Sequence, residues 1–310
     1  MSLQPGGFLN GEPPIFFTGI PFIIAPMSIT PRVLLSIDYE PWFALFRRYD
    51  SLTDPAERRH LDGGFTARAL DPILEQLGDS KASIYLVGEI GEWYPEVPRR
   101  IVEAGHELGL HCHVHRSLKS VDELVQDIYA SRAWRTRYKV RGYRAPMIGI
   151  NEAAYSLLEE NNFQYSSSIY APAGTLLQKG NVWEIPVSTI SSHRHGTYTA
   201  PRDFNFKLLF QGEFPYGSSF SIGWVPGPIL KLIEWDLKRG HSPCIFLHPY
   251  ELVTPDSFKR ITRDVILNPH LMPFLRNKSG FLQSLLKHFP VSPLGTYLDE
   301  MLAARGAVHA

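Results

Sequence analysis

The sequence is poor in cysteine, has no net charge, and contains no unbroken apolar run long enough to cross a bilayer. Each lack removes a class of protein. The 2 cysteines among 310 residues, Cys112 and Cys244, form neither a CxxC redox pair nor a zinc-knuckle spacing. They read as two buried thiols in a reducing compartment, although the sequence alone leaves a disulfide between them open. The 31 basic side chains balance 31 acidic ones, whereas a nucleic-acid binder usually carries a basic excess. Residues 15–26 are apolar but are broken by Pro21 and Pro26, and no Lys or Arg precedes Arg32. A secretory signal needs a basic start and an uninterrupted apolar core, and a spanning helix needs more length. Residues 1–30 therefore read as an N-terminal extension on the domain formed by residues 31–310. The protein is expected to be soluble and cytoplasmic, with no membrane span. Nothing in the sequence speaks for or against a homo-oligomer.

What is present is the pattern of a folded α/β chain. Hydrophobic residues make up 44% and charged residues 20%, a balance suited to a sizeable core. Short β-branched runs alternate with amphipathic stretches. Strands are predicted at Val33–Ile37, Ser83–Val87, Glu107–Leu110, Trp183–Ser188 and Cys244–Leu247. Helices are predicted at Thr66–Leu77, Pro95–Ala104, after Ser120, after Asn151, at Ile229–Lys238, and near 272–288 and 295–304. This alternation implies a mostly parallel sheet covered by helices. Residues 191–220 lack periodicity and read as long loops or an irregular hairpin within the same domain.

Four segments carry chemistry. In Leu34-Leu-Ser-Ile-Asp38-Tyr-Glu40, an apolar strand ends in two acids two residues apart. Extended backbone turns both to one side, where two like charges call for a cation. In His106-Glu-Leu-Gly-Leu-His111-Cys-His-Val-His115, a helical turn after the strand would put His111 and His115 on one face at i and i+4. Two such imidazoles can converge on one metal ion at about 2.0–2.1 Å, with His113 pointing elsewhere. With Glu40 they make a two-histidine, one-carboxylate set with open positions, which is a catalytic rather than a structural pattern. Asp38 is left as a general base. Arg144, before Ala145 and Pro146, is suited to hold that carboxylate, and His248 at the end of the last strand is suited to act as general acid. Each segment has a plainer reading taken alone: solvated acids, a polar histidine turn, a surface arginine, a core histidine. All four lie where a strand gives way to a loop, the rim on which parallel α/β folds build active sites.

The order and spacing of these segments resemble the polysaccharide deacetylases, carbohydrate esterase family four. The motifs are Ser36-Ile-Asp38-Tyr-Glu40, Gly105 to His115, Arg144-Ala-Pro146 and Leu247-His248, within a resemblance covering roughly residues 30–290. Leu247-His-Pro-Tyr-Glu-Leu252 and Phe274-Leu-Arg-Asn look similar to a branch found with bacterial exopolysaccharide export systems. The resemblance implies an irregular seven-stranded (β/α) barrel, TIM-barrel-like. It also implies hydrolysis of an N-acetyl group on an amino sugar, with a divalent metal, zinc first, on Glu40, His111 and His115.

Asp38 would then be the base, Arg144 its orienting partner, His248 the acid, and the backbone N–H near Met147 an oxyanion donor beside Pro146. Trp42, Trp183 and Tyr250 are candidate sugar-stacking surfaces, each equally readable as core. His193 and His195 could line the cleft, but read better as solvated loop residues. The chain departs from the family pattern at Tyr39, which separates the two acids, and at Pro249, where an acid usually follows the histidine. An acid–x–acid spacing also occurs in branches acting on ureides or formamides. A ureide amidohydrolase or amino-sugar deformylase, and a non-catalytic sugar-binding relative, are therefore the competing readings.

Overall fold

A computed structural model describes residues 29–116, 120–191, 212–260, 265–266 and 268–308. The expected N-terminal extension up to residue 28, and His193 and His195, lie outside the described residues.

The strands are β1 (Val33–Tyr39), β2 (Ser83–Val87), β3 (Glu107–Cys112), β4 (Gly142–Tyr143), β5 (Tyr165–Ser166), β6 (Tyr170–Pro172), β7 (Leu177–Lys179), β8 (Val182–Glu184), β9 (Val187–Ser191), β10 (Glu213–Phe214), β11 (Cys244–Leu247) and β12 (Val291–Ser292). Seven of them run parallel in the order β11-β1-β2-β3-β4-β5-β8. β7 adds antiparallel to β8, and β12 adds to β1. The sheet curls into a (β/α) barrel, as the sequence led us to expect.

Its seam, between β8 and β11, is not closed by a regular ladder. The segment expected as one strand over 183–188 is instead broken at Pro186, which cannot donate to a ladder. Its second half, β9, bridges to β11. Cys244 N–H donates to Ser188 Oγ at 2.8 Å, and Gly217 links the Ser188 carbonyl to Phe246 N–H. A Cβ at Gly217 would stand 2.3 Å from the Cys244 carbonyl oxygen, so only glycine fits this seam. β10 pairs antiparallel with β9, so the two described ends of the 191–220 region do form a hairpin-like pair.

Alternation along β1 sorts its side chains into two environments. Leu35, Ile37 and Tyr39 face outward and pack with Ala69, Leu70 and Ile73 of the helix Phe65–Leu77. Leu34 faces inward, where Tyr85, Tyr165, Trp183, Leu294 and Leu298 plug the lower end of the barrel. Ser36 and Asp38 follow on the same inward face, climbing toward the C-terminal rim. The helix expected near 272–288 is two pieces, Met272–Leu275 and Ser279–His288, because Arg276 is extended between them. No described helix is long and apolar enough to cross a membrane. Both cysteines are buried and free.

Candidate metal centre and its flanks

Asp38 and Glu40 do share one face, since Tyr39 between them turns outward and donates its hydroxyl to the Thr66 carbonyl at 2.5 Å. Asp38 is 2% exposed and meets the fully buried Arg144, whose Nη1 lies 3.2 and 3.3 Å from the two carboxylate oxygens. The other guanidinium nitrogen donates to Ser36 Oγ at 3.2 Å and Ser167 Oγ at 2.9 Å. The guanidinium lies over the rings of Tyr85 and Phe246 at 4.7 and 5.3 Å. Burial alone would pull the Arg144 pKa down, but Asp38 together with Tyr85, Cys244 and Glu184 outweighs it and the net shift is upward.

His111 and His115 also meet, but not on a helix. His111 belongs to β3, and the chain after Cys112 bends instead of coiling. The bend is fixed by Asp127, on the helix Val121–Ala130, whose carboxylate accepts the N–H groups of His113 and Val114 at 2.7 and 3.2 Å. The rings of His111 and His115 come to 5.1 Å between centroids. His113 turns away to Ser131, 3.1 Å from its Nδ1. His111 Nδ1 donates to the Arg144 carbonyl at 2.8 Å, which leaves its Nε2 free to face Glu40.

Glu40 is the hub. One oxygen, Oε2, lies 2.9 Å from His115 Nε2 and 3.6 Å from His111 Nε2, yet it is buried and accepts no well-formed hydrogen bond. The ligand atoms of Glu40, His111 and His115 all lie within 4.8 Å of one another. An orphaned carboxylate oxygen facing two imidazole nitrogens suits a divalent cation such as zinc. Burial pushes the Glu40 carboxyl upward, but His115, His248 and His111 overcome this and hold it well below the usual range. In return the His115 imidazole is raised: desolvation opposes its charge, and Glu40 outweighs that.

The other Glu40 oxygen accepts the Tyr250 hydroxyl at 2.7 Å and lies 3.7 Å from His248 Nε2. His248 stacks on Tyr250, with 5.0 Å between centroids. Its Nδ1 lies 3.2 Å from Glu251 Oε1 and 3.2 Å from Ser219 Oγ. Burial lowers the His248 pKa, but Glu251 and then Glu40 raise it further, so it ends above the ordinary value. The acid missing at position 249 is thus supplied two residues later.

Three aromatic candidates are not surfaces. Trp42 is 3% exposed in a cluster with Phe43, Phe46, Tyr49 and Phe258. Trp183 belongs to the lower plug, under the Arg305 guanidinium. Tyr250 is 1% exposed and holds Glu40. A ring enclosed on both faces cannot stack on a sugar. Pro146 is buried too, whereas Met147 is 42% exposed with a left-handed φ of 55°. Sequence reasoning missed Asp127, Ser219, Glu251 and Lys278. Of these only Glu251, at helix-capping distance from His248, carried a local signal.

Residues 62–166 match the family model for polysaccharide deacetylase. Over these residues the chain is similar to the polysaccharide deacetylases. Among its relatives is a peptidoglycan-N-acetylglucosamine deacetylase of Bacillus cereus, 28% identical over 106 residues, covering 33% of this chain and 36% of the relative. A peptidoglycan deacetylase-like protein of Gibberella zeae is 24% identical over 147 residues, 44% of each chain. The chain thus spans less than half the length of the curated relatives it matches. A crystal structure of a polysaccharide deacetylase-type protein from Mycobacterium smegmatis aligns over 88% of this chain and 97% of its own, with a TM-score of 0.50 and 18% identity, a likeness of fold. The family match takes in His111, His115 and Arg144. Asp38, Glu40 and His248 lie outside it and join the group through the barrel.

Proposed function

We propose that this deacetylase-family protein is a metal-dependent amide hydrolase that removes an N-acetyl group from an amino sugar in a polysaccharide or glycoconjugate. The observation that carries this is the convergence on one buried centre of Glu40, His111 and His115 with Asp38 on one flank and His248 on the other.

Glu40, His111 and His115 would hold the metal, zinc by preference, which when bound supplies Lewis-acid polarisation of the scissile carbonyl. Asp38, oriented by Arg144, takes a proton from the attacking water as its oxygen bonds to the acyl carbon. The backbone N–H at Met147 is the candidate donor to the oxyanion. His248 gives a proton from Nε2 to the sugar nitrogen as the C–N bond breaks, leaving acetate and a free amine. A binding module needs neither the base nor the acid, so the pair weighs against a non-catalytic role.

The test is acetate release from N-acetylglucosamine oligomers, with zinc and with a chelator, for the wild type and Asp38→Asn. Release that needs metal and is lost in Asp38→Asn is the expected result. A zinc-loaded protein that releases no acetate from any oligomer would sink the reading. In that case formate or ammonia from formamido sugars and cyclic ureides, the substrates suggested by the acid–x–acid spacing, should be measured next.

A further inference from the structure

Behind His248 lies a buried ion pair that the proposed reaction does not use. Lys278 is 3% exposed, and its ammonium meets Glu251, which is fully buried. It also donates to Ser219 Oγ at 3.3 Å. Ser219 in turn gives its one hydroxyl proton to Glu251. The oxygen that Lys278 and Ser219 share, Glu251 Oε1, is the one 3.2 Å from His248 Nδ1. The second oxygen, Oε2, accepts the His248 backbone N–H at 2.8 Å.

We infer that Lys278 is a positioning residue for His248, acting through Glu251 and Ser219; this rests on the reading of His248 as the proton donor. The argument is one of donors and acceptors. Lys278 offers only donors, and the Ser219 proton is committed to Glu251. His248 Nδ1 therefore faces acceptors alone and carries a hydrogen. That assigns the tautomer and leaves Nε2 as the atom that takes up and gives away a proton on the Glu40 side.

The cation is not needed to hold the chain. The Lys278 backbone N–H already donates to the Glu251 carbonyl, at 2.6 Å, and the following helix is anchored by Phe281, Leu282 and Leu285. A buried ion pair is costly, and two apolar residues of the same volume in place of Lys278 and Glu251 together would usually serve stability as well or better. A Cβ at Gly223 would stand 2.0 Å from the Pro273 carbonyl oxygen and 2.9 Å from Lys278 Cε, so the glycine lets both approach. Without Lys278, Glu251 Oε1 loses its charged donor and can turn about the bond that the His248 backbone N–H makes to Oε2, and the His248 ring loses its fixed orientation.

The experiment compares wild type, Lys278→Met, Glu251→Gln and the double variant on N-acetylglucosamine oligomers. Zinc content and long-range proton–nitrogen NMR of His248 are measured on the same samples. Lys278→Met is expected to lower kcat about 10- to 100-fold, the range for removing an outer partner of an active-site histidine. KM should stay within about twofold and zinc content should not change. The His248 spectrum should shift from a single Nδ1–H tautomer to a mixture. The double variant should be no worse than the poorer single one, because both act on one ring. Unchanged kcat with an unchanged spectrum overturns the inference, as does a loss that appears in KM or zinc content. If Lys278→Met does not fold, Glu251→Gln decides by the same kcat and tautomer criteria. If the wild type turns over nothing, the deacetylase reading fails, while the NMR comparison still decides whether Lys278 sets the ring.

Discussion

The two flanks of Glu40 solve different problems with similar parts. On one side, Arg144 touches the Asp38 carboxylate directly through Nη1 and gives Nη2 to two serines. On the other, Lys278 does not touch His248 but reaches it through Glu251 and Ser219. The contrast fits the proposed roles. A base that must stay ionised is served by a permanent cation in contact. A proton donor that must pass between charged and neutral forms would be disabled by a cation in contact, and is better served by a carboxylate whose own charge is balanced from behind. In both flanks the supporting charge is buried, so removing one partner strands the other.

The comparison can be broken or sharpened by substitution. The largest effect is expected on the Asp38 flank: Asp38→Asn should lower acetate release about 10²- to 10⁴-fold, the worth of a positioned acid or base. Arg144→Met, which leaves Asp38 buried without a partner, should destabilise the fold by about 3–5 kcal/mol in denaturant titration. If Arg144→Met proves neutral for stability, the pair is not the anchor of this flank. At the centre, His111→Ala or His115→Ala should leave the purified protein with well under one zinc per chain by elemental analysis, while Lys278→Met keeps its zinc.

Aromatic residues give a smaller but sharper test. Trp42→Ala should lower stability by about 3–5 kcal/mol and leave the KM of the surviving folded enzyme unchanged, because its ring is core. A raised KM without a stability loss would return Trp42 to the cleft.

The smallest effect is on pH dependence. His115 and His248 both have folded-state values raised above the ordinary 6.5. In metal-free protein their contribution to stability is complete below about 6.5, the unfolded value, and is lost as pH rises through the folded values. Zinc needs neutral imidazole at its ligands, so its stabilisation should grow over the same window. Thermal unfolding in chelator and in zinc should therefore diverge as pH rises above 6.5. Parallel curves would count against the Glu40–His111–His115 centre.

How the sequence yielded these residues depends on the range of each interaction. Asp38 and Glu40 were legible as a pair because alternation along a strand is local. His111 and His115 were legible as partners, but for the wrong geometry. Their meeting depends on Asp127, 12 residues beyond His115 on a separate helix, and no local pattern names it. Trp42, Trp183 and Tyr250 are readable as surface or core alike, because an aromatic side chain carries no mark of which face is covered. Lys278 was invisible for the same reason, as its partner Glu251 lies 27 residues away in sequence.

By itself the sequence determined the alternation of strands and helices, the placing of Asp38 and Glu40 on one side at the end of β1, and the residue types able to hold a metal. Those features follow from backbone periodicity and side-chain chemistry, which act within a few residues. Only the tertiary structure decided that Arg144 would face Asp38, that Tyr250 would hold Glu40, and that a lysine from beyond the last barrel strand would stand behind His248. These pairings arise where the curled sheet and its helices bring distant residues into one buried volume, where an unpaired charge costs too much to be left alone.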